Sequence, residues 1–292
     1  MIAGVDQDSV AFLNGAWLPL GEVRISALDR GFIFGDGVYD VVPAYGGQPF
    51  RMAHHLARLQ RSLAAVRIET GRSTPAWQAL VLELLARNPD IGDCTVYLQV
   101  TRGVARRDHG FPAGVAPTVF GMVSPLRRPT QDQRTRGLAV ISIVDERWLH
   151  CEIKSTSLLG NVLARQQAVD AGVDEVVQFR DGFLTEGASC NIWVVKNGVL
   201  HAPLRNHLIL EGVRYAFLVE LAKQAGIPFE ARPIGRDEVG LADELLLSSA
   251  SKEVLPIITL DGRPVGTGRP GPVYGALRAG YDAAIDALVT VA

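Results

Sequence analysis

Only four of the 29 basic residues are lysines, Lys154, Lys196, Lys223 and Lys252, so chemistry that needs an amine nucleophile has four candidates. Lys154 stands in Arg147-Trp-Leu-His-Cys-Glu-Ile-Lys-Ser-Thr-Ser157, just ahead of an apolar run at helical spacing. A helix N-terminus lowers an amine's pKa, which suits a Schiff-base lysine; a solvated surface lysine is the other reading, and Trp148, Leu149 and Ile153 favour burial. Glu186, in Leu184-Thr-Glu-Gly-Ala-Ser-Cys-Asn-Ile-Trp193, is a carboxylate at a turn between two strands. It reads as a plain turn acid, or as the acid that keeps a ring nitrogen protonated so that the ring can accept electrons. Arg58 sits on a helix, either on a solvated face or as a bidentate partner for a phosphate. Gly212-Val213-Arg214 opens a helix and Ser248-Ser249-Ala250-Ser251 follows a strand, and each could offer backbone N–H groups or hydroxyls to a phosphate. Arg107 and His109 form an Arg-X-His pair between Gly103 and Gly110, an exposed basic loop or a carboxylate clamp. The six histidines show no metal-ligand spacing, and the adjacent His54 and His55 point about 100° apart on a helix. No metal is expected.

The elements that must position these residues alternate strand and helix signals. Val10 to Leu13 and Ala16 to Leu20 read as a hairpin about Asn14-Gly15, and Val38 to Tyr45 and Gln48 to Arg51 as another about Gly46-Gly47. Helices are expected over 54–65 and 75–87, and strands over 95–101 and 115–123. Ser124 to Arg136 is polar, carries two prolines and suits a linker between a domain over 1–123 and a second over 137–292. The second part begins with a strand over 138–144. Ser155, Thr156 and Ser157 then offer N-cap hydroxyls to a helix that ends at Gly172. Strands over 176–179, 183–186, 190–196 and 244–249, a helix over 212–225 and a hairpin at Asp261-Gly262 follow. Strands outnumber helices here, which argues for an α+β or barrel-like domain and against a doubly wound parallel sheet.

Hydrophobic residues make up 48 % and charged residues 21 % of the 292, enough for a sizeable core. The net charge of −2 gives no reason to expect nucleic acid or an anionic membrane as partner. Met1 to Phe12 carries Asp6 and Asp8 without Lys or Arg and does not read as a signal peptide. Three widely spaced cysteines suggest neither a disulfide framework nor a zinc site, and a cytoplasmic protein with reduced thiols is expected.

Taken together and in order, these residues resemble the class IV aminotransferases. The stretches that carry the likeness are Asp29-Arg-Gly-Phe-Ile-Phe-Gly-Asp-Gly-Val-Tyr39, Tyr97-Leu-Gln-Val-Thr-Arg-Gly103, Arg147 to Lys154, and Leu158-Leu-Gly-Asn-Val-Leu-Ala164. Within the family the chain looks most like the bacterial D-amino-acid transaminases. The resemblance implies fold-type IV, a small N-terminal α/β domain followed by a larger pseudo-barrel domain, and pyridoxal 5′-phosphate (PLP) as cofactor. It implies that Lys154 holds PLP as a Schiff base and moves the proton, and that Glu186 meets the pyridine nitrogen. It assigns the phosphate to Arg58, to Val213 and Arg214, and to Ser249 and Ala250, the ring's apolar packing to Leu210, and the substrate carboxylate to Tyr39, Arg107 and His109. The substrates would be a D-amino acid such as D-alanine and a 2-oxo acid, 2-oxoglutarate or pyruvate. In such enzymes the Arg-X-His loop reaches in from a neighbouring subunit, so a homodimer is implied. Branched-chain aminotransferase, (R)-amine transaminase and 4-amino-4-deoxychorismate lyase are the alternatives. The chain departs from the family at Arg214, often a threonine, and at Ala250, often a hydroxyl residue. Both changes remove hydroxyl donors, and Arg214 could supply a charged one instead.

Overall fold

The structure, a computed structural model, describes residues 5–290; Met1–Gly4, part of the stretch read for a signal peptide, lie outside the described residues, as do Val291 and Ala292. The chain forms two compact units. One runs to Arg127 and also takes in Ile153–Leu158 and the chain from Leu288; the other comprises Arg128–Glu152 and Leu159–Ala287.

The first unit holds strands β1 (Val10–Leu13), β2 (Ala16–Pro19), β3 (Gly37–Tyr45), β4 (Gln48–Pro49), β5 (Cys94–Thr101) and β6 (Thr118–Pro125), with helices α1 (Arg30–Phe34), α2 (Met52–Ala65) and α3 (Thr74–Ala86). The strands make one antiparallel sheet in the order β2-β1-β6-β5-β3-β4. Both expected hairpins form: Leu13 pairs with Ala16 and Tyr45 with Gln48. Alternation along β5 sends Cys94, Val96, Leu98 and Val100 into a core with Leu56 and Leu59 of α2 and Trp77, Val81 and Leu84 of α3. This period-2 face meeting two helical stripes is what holds the unit together.

The second unit contains α4 (Gln131–Arg136), β7 (Leu138–Val144), α5 (Leu159–Asp170), β8 (Glu175–Arg180), β9 (Phe183–Leu184), β10 (Asn191–Lys196), β11 (Val199–Ala202), α6 (Val213–Gln224), β12 (Phe229–Ala231), α7 (Arg236–Gly240), β13 (Glu244–Ser249), β14 (Glu253–Leu260), β15 (Arg263–Pro264) and most of α8 (Pro272–Thr290). Its sheet runs β12-β11-β10-β13-β14-β7-β8-β9, with β15 beside β14. The pairs β11–β12, β14–β7 and β7–β8 are parallel and the others antiparallel, so the sheet is mixed rather than doubly wound. The sheet curls back on itself: just beyond β12, Ile234 O accepts from Leu184 N at 2.9 Å and Gly235 bridges Phe183 of β9, giving a pseudo-barrel. Its core gathers Val140, Val177, Ile192, Val194, Leu245, Leu247, Leu255 and Ile257.

One local expectation is corrected and one stretch gains an element. The stretch read as a linker contains α4, started by a capping box in which Thr130 Oγ1 accepts from Gln133 N and Gln133 Oε1 accepts from Thr130 N. The hydroxyls ahead of α5 do not cap it. Thr156 Oγ1 and Ser157 Oγ donate to the carbonyl of Gly35 at 3.0 Å each. Lys154 stands five residues ahead of Leu159, where α5 begins.

Candidate active site

In the first unit the site is built on β3, where alternation places Tyr39 and Asp40 on opposite faces. Asp40, fully buried, faces α2. It accepts from Arg58 Nε and a terminal nitrogen at 2.9 Å each and lies 2.7 Å from His55 Nδ1. Burial alone would raise the Asp40 carboxyl, but Arg58 and His55 outweigh it and hold it well below the usual carboxylate range. The bidentate grip fixes the direction of the Arg58 guanidinium, a buried group at 5 % exposure rather than a solvated face.

The segment Ile153–Leu158 runs antiparallel along the start of β3, bridging Ser155 to Val38. Lys154 is held on both sides of its backbone: its N–H donates to Ser62 Oγ at 3.1 Å and its carbonyl accepts from Tyr39 N at 2.9 Å. Ser62 lies one turn beyond Arg58 on α2, so one helix face supports both residues. The Lys154 amine lies 4.2 Å from the centre of the Tyr39 ring. Gly35 makes the approach possible. Its φ of +65° suits glycine, and a Cβ there would stand 2.5 Å from Ser157 Oγ.

Arg107 and His109 are exposed, in a loop folded against α1. Arg30 donates to the carbonyls of Asp108 and His109, and the Phe34 ring packs 5.3 Å from the His109 ring and 5.5 Å from the Arg107 guanidinium. Among the described residues no hydrogen bond joins either side chain to Tyr39 or Lys154.

In the second unit Glu186 is 4 % exposed and held at both oxygens. Arg147 donates to Oε2 at 2.5 Å and Asn191 Nδ2 to Oε1 at 3.0 Å. Burial pushes the Glu186 carboxyl above its ordinary range, with Arg147 pulling the other way without cancelling it. Arg147 itself is gripped by Asp145 at 2.9 Å. Asn191 also donates to the Leu210 carbonyl at 2.9 Å, and it fills the space where a Cβ on Gly212 would fall. Glu186 and the start of α6 are thus linked through one amide. Gly212 is the N-cap of α6 and supplies no side chain, leaving the amides of Val213 and Arg214 at an uncapped helix start. Asn191 pairs across the sheet with Ser248, which brings the Ser249–Ala250 turn to the same end of β10 and β13. Arg214 does not extend its full fork toward that end: it is 1 % exposed, and its Nε donates to the Tyr281 hydroxyl.

Sequence reasoning missed Asp40, His55, Arg147, Asp145 and Asn191. The only signal for Arg147 was its place at the head of the stretch leading to Lys154. A buried acid fixed by two donors, an uncapped helix start and a serine turn at one end of a sheet can receive a cationic ring nitrogen and a phosphate. A lysine amine braced over a tyrosine can add to a carbonyl or carry a proton. Among the described residues no cluster of three or more His, Cys, Asp or Glu could hold a metal.

The family model of amino-transferase class IV matches residues 37–260. The D-alanine aminotransferase of Staphylococcus haemolyticus is 36 % identical over 276 residues, covering 94 % of this chain and 97 % of the relative. That of Bacillus licheniformis is 37 % identical over 260 residues, 89 % and 91 % of the two chains. Among solved structures, a T.th. branched-chain amino acid aminotransferase with pyridoxamine 5′-phosphate superposes with a TM-score of 0.88 at 25 % identity, over 95 % of this chain and 94 % of that one. A fold IV transaminase from Curtobacterium pusillum gives 0.80 at 27 % identity over 92 % of each chain. The motifs, the pseudo-barrel and the match across most of the sequence agree: the chain belongs to the class IV aminotransferases.

Proposed function

We propose that this protein is a D-amino-acid aminotransferase that passes the amino group of a D-amino acid such as D-alanine to 2-oxoglutarate or pyruvate, using PLP and acting as a homodimer in the cytoplasm. The observation that carries the reading is the relationship to D-alanine aminotransferases along 94 % of the chain. The branched-chain structure shares the fold but only 25 % of the sequence.

The residues present fit PLP: a buried acid for its ring nitrogen, an uncapped helix start and a serine turn for its phosphate, and a braced lysine for its aldehyde. When bound, PLP supplies an aldehyde that condenses with amines and a ring that takes up the electrons left as the Cα–H bond breaks. Lys154 is the amine that would hold the aldehyde, and it would carry the proton of the substrate Cα. Glu186, fixed by Arg147 and Asn191, would accept a hydrogen bond from the ring N–H. Val213 and Arg214 N–H, Ser249 and Ala250 would hold the phosphate, as would Arg58, and Leu210 would pack on the ring. Tyr39 with Arg107 and His109 takes the α-carboxylate, the loop pair serving a second copy's site. A second copy also accounts for the apolar residues exposed on α5, Leu159, Val162 and Leu163, at helical spacing and 57–71 % exposed.

The reading is tested with a panel of D- and L-amino acids and (R)-1-phenylethylamine against 2-oxoglutarate and pyruvate. D-alanine should be turned over and L-branched-chain substrates should not. In Arg107→Ala, kcat/KM for D-alanine should fall about ten- to a hundredfold, the size of a lost charge-assisted hydrogen bond, with little change for an amine that has no carboxylate. Equal losses on both, or a preference for L-leucine, would leave the family and remove the D-specificity.

A further inference from the structure

The turn that carries Glu186 and the turn that carries Ser249 are tied together by one carboxylate, Glu175, at the start of β8. Its side chain is fully buried. Oε1 accepts from the backbone N–H of Ala188 at 3.1 Å and of Val176 at 3.0 Å, and Oε2 accepts from Lys252 Nζ at 2.5 Å. Ala188 follows Glu186 by two residues, and its carbonyl is bound by Asn161 Nδ2 at 2.7 Å. Lys252 closes the other turn, its own N–H donating to Ser249 Oγ at 3.0 Å. The next residue, Glu253, is fully buried at a φ of +55° and bound by Arg128, Arg134 and Arg278 at 2.7–3.1 Å. The phosphate turn is therefore fixed on its far side by Glu253 and on its near side by Lys252.

A buried ion pair is weak evidence for stability, because desolvation offsets most of the attraction. Bridging two loops is a geometric task that an apolar pair cannot perform with the same directionality. We infer that Glu175 and Lys252 are positioning residues that set the spacing between the acid at one end of the cofactor and the phosphate turn at the other. The inference rests on the proposed use of PLP.

Wild type, Glu175→Gln, Lys252→Met and the double variant are stripped of cofactor and titrated with PLP and, separately, with pyridoxal, which lacks the phosphate. Binding is read from the absorbance of the bound form, and the Tm of each stripped protein is recorded. The Kd for PLP should rise about tenfold in either single variant, as for one charge-assisted hydrogen bond, and no further in the double. Pyridoxal, gripped at one end only, should bind all four proteins alike. A pair that merely stabilises the fold would lower the Tm and leave the ratio of PLP to pyridoxal affinity at its wild-type value, and that result overturns the inference. Should Glu175→Gln not fold, Lys252→Met, with a partly exposed side chain, decides the matter alone. A wild type that binds neither compound overturns the proposed function and this inference with it; a wild type that binds PLP beside unchanged variants overturns the inference only.

Discussion

At the scale of single residues, Arg147 carries more than its position suggests. It meets Asp145 and Glu186 while almost wholly buried, and the two carboxylates outweigh the cost of burial to keep its pKa above the ordinary arginine value. Removing it leaves Glu186 buried without its cation and Asp145 with Arg180 alone, at 3.1 Å. Arg147→Leu should lower unfolding free energy by about 3–5 kcal/mol in urea titrations, far more than a surface arginine would. The three cysteines are buried. Burial pushes the thiols of Cys94 and Cys151 up to about 11, and Cys190 well above its ordinary value. Folded protein near pH 8 should therefore resist alkylation by iodoacetamide, with all three thiols reacting in denaturant; rapid labelling of the folded form would contradict this burial. Lys154, Glu186 and Arg58 could be singled out as candidates from residue type and local sequence. Their partners could not. Asp40 meets Arg58 across 18 residues and Arg147 meets Glu186 across 39, and no local spacing encodes such pairs.

At the scale of elements, hairpins and helices followed from turn chemistry and periodicity, because those signals act within a few residues. The hydroxyls of Thr156 and Ser157 were misread since a cap and a donor to a distant carbonyl look alike in sequence. Their true use couples α1, β3 and the lysine segment. Gly35→Ala should cost roughly 1–2 kcal/mol from the left-handed backbone, and more from the collision with Ser157. Ser157→Ala should recover only the second part in chemical denaturation. The buried carboxyls of β3 and of the loop after β7 also set the acid limit. Burial would raise Asp40 and Asp145, but Arg58 with His55, and Arg147, hold both below the ordinary value. A depressed carboxyl contributes stability in full above its unfolded pKa and loses it as pH falls through the folded one. Glu186, raised by burial, works in the opposite direction. The urea midpoint should decline as pH drops below roughly 4, and Asp40→Asn should flatten that decline. An identical acid slope in the variant would assign the effect elsewhere.

At the scale of the whole molecule, strand content pointed to a barrel-like second half, yet the sheet order was beyond reach. Parallel pairing of β7 with β14 joins Leu138 to Ile257, and nothing near either residue announces the other. Assembly is where the exposed apolar stripe of α5 becomes testable. If the proposed homodimer forms through this stripe, Leu159→Glu with Leu163→Glu should shift sedimentation from dimer to monomer and abolish turnover, while far-UV circular dichroism stays unchanged. A fully active monomer from the wild type would remove the homodimer.

The membership of Ile153–Leu158 in the first unit bears on how the chain is made. Nascent chains leave the ribosome from the N-terminus and fold as units become available. Here the sheet over β1 to β6 emerges early, but the strip that pairs with β3 and brings Lys154 emerges only after β7. Until then the edge at Gly37 and Val38 has no partner, and Ser62 no amide to receive. The half of the protein that is synthesised first is thus left incomplete until part of the second has been translated, and the segment that carries Lys154 is the piece it waits for.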